Sequence, residues 1–389
     1  MAAQAREYHW DFARALYLLL GIPFHAAVVY STHHVWAVSS PEASPLLTFI
    51  ADMLHAFRMP GFFILAGYFA MLMVGRKGAW PWLGSRVVRL GVPLLVATAT
   101  ILPFQIVVST YADMVTGAIT STNFTDQLVL RLTHFDEPWI SHLWFLYALI
   151  ACCAGLALVV ALVGSRRLGA TLGRLGAFAV REKWLSFTVL AGLAALMALA
   201  LPHVYVAGGR AATAFVGYNQ YAIYFAFGVV LHASVDVRGW YGRIGRGGLA
   251  LGLLLAALTL ITPLTVWSHA VFMICGVVAA LLITGYVAAF AAKRFAGPNA
   301  LVRRAVDASF TIYLFHHPVI FVLALAFVPV DWPPVVEFAL IVPVAAAICY
   351  AIHMAIAKSR LALSLFNGAP LPVAGGRDAK EAAALGARR

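Results

Sequence analysis

The sequence predicts an all-α membrane bundle of about ten transmembrane helices, with both termini in the cytoplasm, and three observations carry that expectation. The chain is 63% hydrophobic and only 11% charged over 389 residues. Apolar stretches long enough to cross a bilayer recur along its whole length. The basic residues fall between those stretches in alternating clusters. A soluble domain of this size could not hide so much apolar surface, because burial rises only slowly with size. The mean hydropathy of +0.89 agrees.

A span needs about 20 predominantly apolar residues. Ten stretches qualify: Phe12–Tyr30, Leu46–Val74, Val87–Ala112, His142–Gly164, Leu185–Ala200, Ala214–Ala233, Leu249–Thr262, His269–Ala292, Asp307–Val330 and Val335–Ile356. The fifth and seventh are the shortest. Pro23, Pro60, Pro93, Pro103 and Pro318 interrupt spans. They mark kinks, since neighbouring helices satisfy the freed backbone groups. With the N-terminus inside, 24 of the 27 Lys and Arg lie at cytoplasmic segment ends, while Arg131 and Arg210 lie outside and Arg58 falls within a span. A wrong helix count would scramble this alternation. Residues 1–360 form the membrane-embedded unit. Residues 361–389 form a cytoplasmic tail, expected to be disordered towards its end. The longest outer loop, Asp113–Ser141, is too short for a domain, so any chemistry sits within the bundle.

The formal net charge of +12 comes from short scattered clusters, not from a basic face of the nucleic-acid-binding kind. Cys152, Cys153, Cys275 and Cys349 lie inside apolar stretches without metal spacing, so no metal and no permanently bound cofactor is expected. The first apolar run is long, lacks a small-x-small cleavage site and follows Glu7 and Asp11, so no cleavable signal is expected. No internal repeat is evident, which weakens transporter architectures built from repeats.

Ionisable residues at membrane depth are costly and are functional candidates. Arg14 and His25 are eleven residues apart, about 16 Å along a helix, and share one face. A guanidinium at the cytoplasmic mouth suits a phosphate or carboxylate, and an imidazole below it suits general base catalysis. Snorkelling for Arg14 and packing for His25 stay open on spacing alone. Asp52, His55 and Arg58 recur every three residues on the second span and form a candidate hydrogen-bonded column. Arg58, near mid-span, needs an anion: Asp52 or the substrate. On the ninth span Ser309, Tyr313 and His316 share a face, followed by His317 and Pro318. His142, Trp144 and Tyr147 open the fourth span, and Tyr218, Asn219, Gln220, Tyr221 and Tyr224 make the outer end of the sixth polar and aromatic. An interfacial belt explains the aromatics as well as sugar stacking does. Arg86 and Arg89, one turn apart, suit the phosphates of a nucleotide-like donor, or serve only as topogenic charge.

Together these residues resemble the acyltransferase 3 family of membrane acyltransferases. Arg14-x10-His25 matches its first-helix signature in spacing. Phe62-Phe63-Ile64-Leu65-Ala66-Gly67-Tyr68-Phe69 is similar to its second-helix pattern, except that Ala66 stands where Ser is usual. Arg86-x-x-Arg89 resembles its cytoplasmic arginine pair, and Tyr313-Leu314-x-His316-x-Pro318 its late-helix motif. Arg6-Glu7-Tyr8, Leu19-Leu20-Gly21-Ile22-Pro23-Phe24-His25, His55-x-Phe57-Arg58-Met59, Ser141-His142-Leu143-Trp144-Phe145-Leu146 and His316-His317-Pro318 narrow the likeness to members that succinylate osmoregulated periplasmic glucans. The resemblance implies a ten-helix enzyme of the bacterial inner membrane, with succinyl-CoA as cytoplasmic cosubstrate and a periplasmic glucan as acceptor. It implies His25 as the catalytic base or transient acyl carrier, assisted by Arg14, Arg58 and His55. Arg14, Arg86 and Arg89 would hold the CoA phosphates, and Asp52, His142, Trp144, Ser309, Tyr313 and His316 would face the substrates. Other glucan-biosynthesis proteins are candidate partners. An O-acetyltransferase of another envelope polysaccharide and a transporter of anionic solutes are the competing readings. The first helix's Arg14 and His25 are expected to line one continuous polar passage.

Overall fold

The computed structural model describes residues 8–34, 36–135, 137–183, 220–261, 266–330 and 332–369, with isolated positions 185, 188 and 192, and holds no strand among them. Seven described helices are long and apolar enough to cross a membrane, or eight if one bent pair counts as a single span. The expected span Leu185–Ala200 lies almost wholly outside the described residues, as do Tyr218, Asn219 and Arg210. The expected span Leu249–Thr262 corresponds to a helix of 13 residues, Arg246–Leu258.

The first span is two helices, α1 (Tyr8–Leu19) and α2 (Gly21–Val28). Pro23 has no N–H to offer the carbonyl four residues earlier, so the ladder is interrupted at Leu19 and the helix breaks at Leu20. α3 (Pro45–Lys77) starts at Ser44, whose hydroxyl accepts the Leu47 N–H, with Pro45 in the first turn. Gly78, at φ +81°, turns α3 directly into α4 (Ala79–Val115) with no loop between them. The long loop after α4 folds into α5 (Phe124–Thr133) and three short 3-10 turns, and α6 (Trp144–Val163) follows.

Four helices, α5 among them, were not foreseen. α7 (Ser165–Arg181) carries four arginines and presses Gly176 against Ser234 and Val237. After α8 (Ala222–Ala233), the chain bends by 112° into α9 (Val235–Tyr241), where the Ser234 side chain caps the new helix. Next come α10 (Arg246–Leu258), α11 (Val266–Arg294), α12 (Ala300–Phe327) and α13 (Pro334–Ile356). Asn299 caps α12 by accepting the Leu301 and Val302 N–H groups, so this helix begins a full two turns before the expected Asp307. The last unforeseen helix, α14 (Arg360–Asn367), falls inside the stretch expected to be tail. It ends at Gly368, whose left-handed φ of +62° lets the chain pass against the Arg89 carbonyl.

The most extensive helix pair is α3 with α8. Glycines on both helices allow it: a Cβ on Gly67 would overlap the Phe225 carbonyl, and one on Gly228 the Ile64 carbonyl. Within a membrane no hydrophobic force draws helices together, so close backbone approach and dispersion contacts must do it.

Candidate active site

The bundle holds two separate cavities in its polar interior. One, of about 310 Å³, is lined by Arg14, Leu18, Phe62, Arg86, Arg89 and Ser309 among others. The second, of about 600 Å³, is lined by His25, Trp36, Gln105, Asp113, His142 and His317. They open towards opposite ends of the molecule: on α4 alone, Arg89 and Asp113 are about 36 Å apart along the axis. The first opens at the arginine-rich end.

Arg14 and His25 therefore lie on different cavities, which corrects the expectation of one continuous passage lined by both. Side chains packed between the two cavities explain it. On α12 the first cavity ends at Phe310 and the second begins at His317, about 10 Å further along. Tyr313 and His316 sit in that interval and line neither cavity, as does Arg58. On α6 the partition is thinner, with Trp144 on one cavity and Phe145 on the other. We call this layer the septum.

The septum and the adjoining wall of the second cavity have unsatisfied polar atoms. Nδ1 of His25, Nε of Arg58, Nε2 of His316 and Nδ1 of His317 are all buried with no hydrogen-bond partner. The His25 ring lies 5.2 Å from that of His316 and 4.7 Å from that of His317. Nε2 of His316 and Nη1 of Arg58 both crowd Gly21, where an added Cβ would meet them at 3.1 and 3.4 Å. Buried polar groups are almost always paired, so four orphans in one cluster mark where a ligand's polar atoms belong. The His316 tautomer follows from geometry: Nδ1 donates to the Tyr313 carbonyl at 2.6 Å, which leaves Nε2 as an acceptor facing the septum.

Arg58 is 5% exposed and has no carboxylate within ion-pairing distance among the described residues. Its guanidinium lies 4.5 Å over the Phe24 ring instead. Asp52, one expected partner, is taken by His34 at 2.7 Å. His55 is directed elsewhere, with Nε2 3.4 Å from the Tyr221 hydroxyl and its ring stacked on Phe24. The expected column of Asp52, His55 and Arg58 does not form.

His142 and Tyr313 tie α6 to α12. Pro318 leaves the Leu314 carbonyl without its helical donor, and His142 Nε2 supplies one at 3.1 Å. The Tyr313 hydroxyl donates to the His142 carbonyl at 2.6 Å. Gln105 Nε2 donates to His142 Nδ1 at 3.5 Å, and Gln105 Oε1 accepts from Ser141 at 3.1 Å. Ser141 adopts φ +41°, a left-handed strain for a non-glycine residue, beside this network. Trp144 lines the second cavity and stacks on Tyr221. Ser309 lines the first and donates to the Val306 carbonyl.

Trp36 and Gln105 escaped the sequence reading. Trp36 stacks on His25 at 5.4 Å and covers it from the second cavity's side. It sits in a loop, where no periodicity points inward. Gln105 is uncharged, and a search for ionisable residues at membrane depth passes over it.

A family model described as an acyltransferase domain matches residues 7–354. The chain belongs to this acyltransferase family. Among curated proteins it is similar to glucans biosynthesis protein C from Shigella dysenteriae serotype 1, at 37% identity over 145 residues. The protein of that name from Escherichia coli O6:K15:H31 is 39% identical over 151 residues, and that from strain K12 is 37% identical over 145. Each match spans 37% of this chain and 36% of the relative. No solved structure matches. Family membership and the apolar helices make this a membrane-bound acyltransferase.

Proposed function

We propose that the protein transfers a succinyl group from succinyl-CoA, bound at the arginine-rich end, to glucose hydroxyls of a periplasmic glucan entering from the opposite end. The bacterial cytoplasmic membrane is the setting this implies. One observation carries the reading: histidine nitrogens without partners and one uncompensated arginine cluster where two cavities that open towards opposite ends come nearest each other.

Arg14, Arg86 and Arg89 bind the CoA phosphates, and the pantetheine arm carries the thioester towards the septum. A sugar hydroxyl in the second cavity gives its proton to His25 as its oxygen attacks the thioester carbonyl. Arg58 steadies the oxyanion or the succinyl carboxylate, and His316 Nε2 accepts a hydrogen bond from the sugar. Collapse expels CoA as thiolate, which takes up the proton that His25 holds. The septum must part locally during turnover for donor and acceptor to meet.

Two closed half-channels also suit a transporter of anionic solutes. A transporter moves solute without consuming a thioester, so release of free CoA thiol that depends on added glucan separates the two. Absence of such release from a purified, folded sample sinks the acyltransfer scheme. The Arg58→Ala variant is expected to lose succinyl transfer while retaining acetyl transfer, because only the dicarboxylic donor needs the cation. Equal loss of both would move Arg58 to the oxyanion. Arg86→Ala and Arg89→Ala are each expected to raise KM for acyl-CoA by about 10–100-fold, the equivalent of one charged hydrogen bond, with little change in kcat. An unchanged KM would remove the phosphate-binding role.

A further inference from the structure

The loop joining α2 to α3 contains two consecutive histidines held against α3. Ser31 Oγ accepts the backbone N–H groups of His33 at 3.3 Å and His34 at 3.0 Å. Thr32 donates its N–H to Thr48 Oγ1 on α3 at 3.0 Å. Both imidazoles then converge on Asp52: Oδ1 lies 2.7 Å from His34 Nε2 and 3.4 Å from His33 Nε2. The three donor atoms lie within 4.8 Å of one another.

Charge makes this more than a hydrogen-bonded corner. The Asp52 side chain is 11% exposed, and its ion-pair partners among the described residues are these two histidines alone, with no Lys or Arg. While both imidazoles are neutral, a half-buried carboxylate on a membrane helix has nothing to balance it. A divalent cation at the point where the three donors converge would balance it.

The geometry is close to what such an ion needs. Tetrahedral zinc with bonds of about 2.0–2.1 Å keeps its ligand atoms about 3.3–3.4 Å apart. The His33–Asp52 spacing of 3.4 Å meets this already. From its 2.7 Å, the His34–Asp52 spacing has to open by only about 0.7 Å. Two imidazoles and one carboxylate suit zinc rather than magnesium or calcium. His33, at 57% exposure, leaves a route in from solvent and room for water as the fourth ligand.

We propose that His33, His34 and Asp52 bind a zinc ion that clamps the loop onto α3. Two residues beyond the histidines, Trp36 stacks on His25 and meets His317 edge-on at 4.8 Å. The ion thus fixes Trp36 in the wall of the second cavity. That consequence for acyl transfer rests on the function proposed above; the binding of zinc does not.

The test uses the full chain in lipid nanodiscs, stripped with chelator and titrated with zinc chloride by calorimetry, without acyl-CoA or glucan. One zinc per chain is expected, with affinity falling at least tenfold in Asp52→Asn and in the His33→Ala, His34→Ala double variant. Zinc should also slow chymotryptic cleavage at Trp36 in the parent chain and leave the double variant unprotected. No binding by the parent chain at 100 µM zinc overturns the proposal. So does undiminished affinity in the double variant, whose changes are on an accessible loop and leave the bundle intact.

Discussion

His25→Ala is expected to lower acyl transfer by about 100- to 10,000-fold, the span that positioned general base catalysis contributes. The protein should remain folded. His25 Nδ1 makes no hydrogen bond, so its loss strands no partner in the bundle. The measurement is thiol release from acyl-CoA with glucan present, paired with thermal unfolding in detergent. A folded variant that still modified glucan at near parental rates would remove His25 from the chemistry. His316, whose acceptor nitrogen faces the same cluster, would then be the next base to examine. Mass spectrometry of periplasmic glucans from cells carrying either form gives the same comparison without purification.

The second large effect is structural. Gly228→Leu is expected to prevent α3 and α8 from packing. A Cβ at that position falls on the Ile64 carbonyl, which belongs to a helix backbone and cannot swing aside. Overpacking a core ordinarily costs about 1–3 kcal/mol. Here the obstacle is main chain on the most extensive helix pair, so the cost exceeds that range and the folded yield collapses. Gly155→Ala on α6 is the matched control, because nothing lies within 4 Å of its Cβ. It should be neutral or slightly stabilising through helix propensity. Size-exclusion profiles of fluorescent fusions report both outcomes. A Gly228→Leu protein that unfolded like the parent would show that the pair tolerates separation.

The seven spans found among the described residues were legible because the bilayer imposes one length and one chemistry on each. α5, α7, α9 and α14 were not, since short or amphipathic helices lack the long apolar run on which that reading depends. Pairings across the bundle were harder. Asp52 looked like the partner of Arg58 because the two share a helix, yet its partner His34 comes from a loop eighteen residues earlier. Helical periodicity placed Arg14 and His25 on one face, and that inference assumed an unbroken ladder through Pro23. Tyr313 and His142 were found as polar residues at the right depth. The bond from His142 to the Leu314 carbonyl depends on which carbonyl Pro318 frees, a detail visible only once α6 stands beside α12.

A polar route across a bilayer is also a route for protons and ions. The layer of Arg58, Tyr313 and His316 separates the two described cavities. If donor and acceptor meet there from opposite sides as proposed, the layer also serves as electrical insulation between turnovers, holding the proton-motive force across the membrane.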